Sequence, residues 1–74
     1  MSNSVYRVIE LIGSSPESWE AATANAVREA ATSHSDLRVA EVIEQDVLIE
    51  DGRILAFRAK VRLSFKREID GDAS

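Results

Sequence analysis

Four carboxylates gathered in one short stretch, Glu44, Asp46, Glu50 and Asp51, are the first residues in this chain equipped to do chemistry. Hard cations such as Ca²⁺ collect about six to eight oxygens, largely from carboxylates and carbonyls, so these four acids are a candidate cation cluster. The spacing is not that of an EF-hand loop, so a single chain supplies too few oxygens. Copies meeting at a three-fold axis would turn one carboxylate into three. The plain alternative is a solvated acidic hairpin end. A second set is cationic: Arg58, Lys60, Arg62 and Lys66 lie on one side of an alternating run, suited to pairing with the acids or to holding a phosphate.

Other chemistries fail on inventory. The single histidine, His34, lies in a Ser-rich stretch with nothing to orient it as a base, and no Gly-x-Ser-x-Gly elbow accompanies it. With no cysteine there is no thiolate nucleophile, no disulfide framework and no zinc-thiolate site. Gly13, Gly52 and Gly71 are isolated, which leaves neither a P-loop nor a dinucleotide fingerprint. Trp19, the only tryptophan, has a face on which a cofactor ring can stack, but among alanines at helical spacing it reads as core or interface. These absences point to a binding protein and away from an enzyme.

The elements that must position these residues follow from periodicity. From Arg53 to Lys66 apolar and polar residues alternate, placing Leu55, Phe57, Ala59, Val61, Leu63 and Phe65 on one side of a strand and the basic row on the other. The run Arg38 to Glu50 precedes it, joined through Asp51-Gly52, a strong signal for a two-residue hairpin turn. If Glu50 and Arg53 flank that turn, Glu41 faces Arg62, Ile43 faces Lys60, Gln45 faces Arg58, Val42 faces Val61 and Leu48 faces Leu55. Glu44 and Asp46 then fall on the apolar side, unless a bulge near Gln45-Asp46 or strand curvature returns them to water.

Val5 to Ile12 reads as a first strand stopping at Gly13. Ser14-Ser15-Pro16-Glu17 offers a serine cap, a proline for the first turn and an early acid, so a helix starts there. Its stripe is Trp19, Ala22, Thr23, Ala26, Val27 and Ala30, and the polar run Thr32 to Asp36 ends it. The order is β-α-β-β, an α+β domain expected over residues 4–67 with flexible termini at 1–3 and 68–74. Pattern alone leaves open whether the first strand lies parallel to the second or antiparallel to the third.

At 74 residues and 8.1 kDa, one core supplies only about 3–5 kcal/mol, and self-association is the available reinforcement. A net charge of −4 opposes nonspecific attraction to nucleic acid or anionic membrane. No apolar run approaches the roughly 18–20 residues of a membrane span, and the expected compartment is the cytoplasm.

Taken together, Val5-Tyr6-Arg7-Val8-Ile9-Glu10-Leu11-Ile12-Gly13-Ser14-Ser15, then Val39-Ala40-Glu41-Val42 and Val61-Arg62-Leu63-Ser64-Phe65, resemble the dodecin family over residues 5 to about 67. The resemblance implies a three-stranded antiparallel sheet wrapped on one helix, with twelve copies forming a hollow homododecamer that stores a small ligand. Dodecins commonly bind flavin pairs, stacked on a tryptophan opening the second strand and touched by a glutamine on the third. Here those positions hold Val39 and Arg58, with Gln45 nearby, so the implied cofactor site is degraded. Losing the aromatic platform removes about 1–3 kcal/mol per ring face, by analogy with base stacking. Flavin held through Arg58, Lys60 and Arg62, or a purely structural particle, remain alternatives. The stretches Ser15-Pro16-Glu17-Ser18-Trp19-Glu20, Leu37-Arg38-Val39-Ala40 and Val42-Ile43-Glu44-Gln45-Asp46 are similar to the branch described as calcium dodecin. That similarity implies calcium binding, and Glu44 and Asp46, which lie in the resembling stretch and break the core-face pattern, are the candidate metal ligands.

Overall fold

Three long strands and one helix account for residues 3–69, which the computed structural model describes, with side chains described from 5 to 66. Strand β1 spans Asn3–Ser15, helix α1 Trp19–Ala31, strand β2 Leu37–Glu50 and strand β3 Arg53–Ile69. Residues 1–2 and 70–74, within the expected flexible ends, lie outside the described residues. The sheet order is β1-β3-β2 and both pairings are antiparallel, which settles the crossover that periodicity leaves open.

Helix α1 begins later than its sequence signals suggest. Ser18 is the cap, its hydroxyl accepting from the Ala21 N–H at 2.9 Å, while Ser15 Oγ accepts from the Glu17 N–H at 3.0 Å. Pro16 therefore belongs to the turn that leads into the helix. The alanine stripe is as expected: Ala22, Ala26 and Ala30 are buried, in one core with Ala59, Val61 and Leu63 of β3. Small side chains let the helix sit close to the sheet backbone, and the backbone of Ala22 lies directly against Gly13 of β1. A β-carbon added there would lie 2.0 Å from the Ala22 carbonyl oxygen.

Among the described residues the fully formed core is six side chains, four of them alanine. Ile9, Leu11, Val27 and Leu37 pack around it only in part. The molecule is a ribbon of 58 × 20 × 13 Å, and the β2–β3 hairpin runs on beyond the helix N-terminus. Leu48, Ile49, Ile54 and Leu55 at its end have no helix over them and are exposed. Such a surface on so small a core is the physical reason to expect the chain to associate with itself.

Candidate site on the outer sheet face

Strand β3 presents Ala59, Val61 and Leu63 to the helix, so alternation turns Arg58, Lys60 and Arg62 to the opposite, outer face. What faces them depends on register. The pairing begins as expected, with Glu50 opposite Arg53 and Ile49 opposite Ile54, but shifts by one at an irregularity where Leu55 is surplus. Leu48 therefore faces Ala56, not Leu55. Gln45 faces Ala59 on the helix side, not Arg58, and Glu44, not Ile43, faces Lys60. A second irregularity, between Val42 and Glu44, leaves Ile43 without a facing partner. Beyond it the expected pairs Val42–Val61 and Glu41–Arg62 are present. The bulge is thus at Ile43, slightly upstream of Gln45-Asp46. Between the two irregularities the shifted register sets Glu44 and Asp46 on the outer face, and the extra residue at Ile43 restores the original count beyond it.

An ordered charge ladder results. Arg58 Nε and Nη2 donate to Asp46 Oδ1 and Oδ2, both at 2.8 Å, a two-pronged fork. Lys60 Nζ stands 3.8 Å from Glu44 Oε1. Arg62 bridges all three strands, with Nη2 3.1 Å from Glu10 Oε2 on β1 and Nη1 3.7 Å from Glu41 Oε1 on β2. The three cations suited to holding a phosphate are each already matched by a carboxylate of the same chain. Beside the bulge, Val42, Ile43, Glu44 and Gln45 line an open depression of about 330 Å³.

The Arg58 fork holds the Asp46 carboxyl below its ordinary value of 3.8, chiefly through the hydrogen bond, and Asp46 raises Arg58 in turn. A lowered folded-state pKa contributes stability above 3.8 and loses it as pH falls through the lower folded value. Asp46→Asn removes that contribution. The stability gap between wild type and Asp46→Asn is expected to be constant at neutral pH and to close below pH 3.8, as followed by urea unfolding. A gap that persists unchanged at the most acidic folded conditions would contradict the pairing.

Trp19 is neither a free stacking platform nor deep core. Its ring packs edge-on against Phe57, with centroids 5.0 Å apart, and its Nε1 donates to the Asp46 carbonyl oxygen at 3.0 Å. The first turn of the helix is thereby tied to the backbone of the candidate ligand. His34 stacks on Phe65 at 4.6 Å, while the nearby Asp36 carboxylate engages Arg38 at 3.2 Å.

The positions implied for flavin do not converge within one chain. Val39 faces Ser64 and is 53% exposed, whereas Arg58 lies six residues away along β3, about 20 Å of strand. Calcium fits in donor chemistry, since Glu44 and Asp46 supply hard oxygens on one face. It does not fit in number: no group of three or more acidic or histidine side chains gathers among the described residues, and Arg58 engages both Asp46 oxygens. One chain holds part of such a site.

The same architecture recurs among known proteins. The dodecin family model matches residues 5–68. The calcium dodecin of Mycobacterium tuberculosis is 51% identical over 63 residues, covering 85% of this chain and 89% of that protein. Its crystal structure, described as a calcium-chelating antigen with a novel calcium-binding site, superimposes with a TM-score of 0.76 at 52% identity, over 82% of this chain and 87% of that one. The dodecin of Streptomyces coelicolor reaches 0.86 at 36% identity, over 95% of this chain and 100% of that one. With the β-α-β-β order and antiparallel sheet in place and the family pattern running through all four elements, the chain belongs to the dodecin family.

Proposed function

We propose that the protein is a non-enzymatic, ligand-storing shell of twelve copies that binds calcium through Glu44 and Asp46. The observation that carries the reading is the pairing of Glu44 with Lys60 and of Asp46 with Arg58, which sets both carboxylates on the outer face. Likeness to a relative named calcium dodecin supports the ion. Val39, aliphatic where flavin-binding members carry an aromatic platform, argues against stacking a flavin. Assembly supplies what one chain lacks, because symmetry repeats each carboxylate and covers the exposed ribbon. No helix among the described residues is long and apolar enough to cross a membrane. A chain without cysteine needs no oxidising compartment, which suits a cytoplasmic particle.

Titration calorimetry of metal-stripped protein tests the reading, with light scattering on the same sample. Binding heat with Ca²⁺ in the micromolar to millimolar range, lost in a Glu44→Gln, Asp46→Asn double variant of unchanged mass, is the expected result. Absence of heat at millimolar Ca²⁺ removes calcium from the function.

A further inference from the structure

The two ends of the ribbon are unlike, and each lacks what the other carries. At the hairpin end Leu48, Ile49, Ile54 and Leu55 form an exposed apolar prong with no helix above it. At the other end a groove of about 140 Å³ opens between the C-terminal half of α1 and the start of β2, lined by Val27, Leu37, Arg38, Val39, Ala40 and Leu63. An apolar cavity of about 150 Å³ takes up a benzene-sized group, so this groove has room for one branched aliphatic side chain. We infer that the hairpin tip of one copy docks head to tail in this groove of a second copy. The docking rests on the shell reading above and adds to it which surfaces meet.

Charge favours the same match. Glu50 and Asp51 lead the tip beside one cation, Arg53, and none of the three makes an ion pair among the described residues. Next to the groove, a hollow of about 370 Å³ is lined by Arg7, His34, Asp36 and Lys66, and Arg38 reaches Asp36 at 3.2 Å. Arg7, Arg38 and Lys66 thus gather around one carboxylate, which leaves this end with the positive charge that suits an acidic tip. Complementary charge of this kind fixes orientation and register at an interface. One chain cannot make the contact with itself, because about 30 Å of extended strand separates Ala40 from Ile49. Tip and groove are different surfaces, so every copy both gives a tip and receives one, and contacts of that sort close into rings when the rotation allows. In a closed ring no prong is left uncovered.

A chain without cysteine makes the contact open to cross-linking. Ala40→Cys, Ile54→Cys and the double variant, all changed at exposed positions, are treated with a short bis-maleimide and compared by mass under denaturing conditions. Such a linker tolerates looser geometry than a disulfide does. Light scattering follows the untreated proteins alongside. Covalent multiples of the 8.1 kDa chain in the double variant, lost in both single variants, are the expected result. Linking in Ile54→Cys alone, as strong as in the double variant, means that tip meets tip and overturns the docking. Equal linking in Ala40→Cys alone overturns it as well, by setting groove against groove. An assembled mass without linking in the double variant overturns the docking and leaves the shell standing. A single-chain mass overturns both.

Discussion

Gly13→Ala is expected to destabilise the protein by more than about 3 kcal/mol, beyond the usual range for one added methyl group. Small-to-large changes in a packed interior cost about 1–3 kcal/mol when side chains can move aside. Here the obstacle is the Ala22 carbonyl oxygen, 2.0 Å from the new atom, with the Ala26 β-carbon at 3.1 Å behind it. Helix and strand must separate, and the six-residue core cannot tolerate the gap. Thermal unfolding by circular dichroism should show a midpoint lowered by at least about 12 °C. A midpoint within a few degrees of wild type would mean that the helix does not seat on β1 at Gly13.

The second large effect concerns assembly. Ile49 and Ile54 face each other at the hairpin end, 61% and 56% exposed, with no helix above them. Burying such side chains against other copies contributes about 1.5–3 kcal/mol each, and a closed particle repeats that gain in every subunit. Ile49→Asp with Ile54→Lys preserves cross-strand attraction within the hairpin while removing its apolar surface. Light scattering is expected to show a mass well below that of wild type, reduced to a small multiple of the 8.1 kDa chain. An unchanged mass would place the intersubunit contacts elsewhere and rule out the hairpin end as the associating surface.

The element order is legible because each element carries its own period: two along β3, three and four along α1, and an Asp-Gly turn between β2 and β3. Asp51 and Gly52 do take positive φ, 53° and 74°, as the turn requires. The helix start is harder to place because two serines compete, and Ser15 caps the turn while Ser18 caps the helix. Strand pairing escapes the sequence for a different reason. A fixed register counted from the turn cannot detect surplus residues, although the charges carry a signal. Arg58, Lys60 and Arg62 are spaced by two, whereas Asp46, Glu44 and Glu41 are spaced by two and then three. Matching those two rows requires one extra residue between Glu41 and Glu44, and Ile43 is that residue. The Asp46–Arg58 fork and the Trp19 bond to Asp46 are illegible without it. A single strand pattern also has no way to show what other copies contribute.

Ile43 on β2 and Leu55 on β3 each occupy a place with no counterpart across the ladder. Chain length is thereby uncoupled from who faces whom: shortening the ribbon by one residue at either spot leaves every remaining opposition intact and every carboxylate on its present side. Homologues differing by single insertions or deletions at these two seams can consequently keep an identical electrostatic surface, so alignment gaps there say nothing about ligand preference.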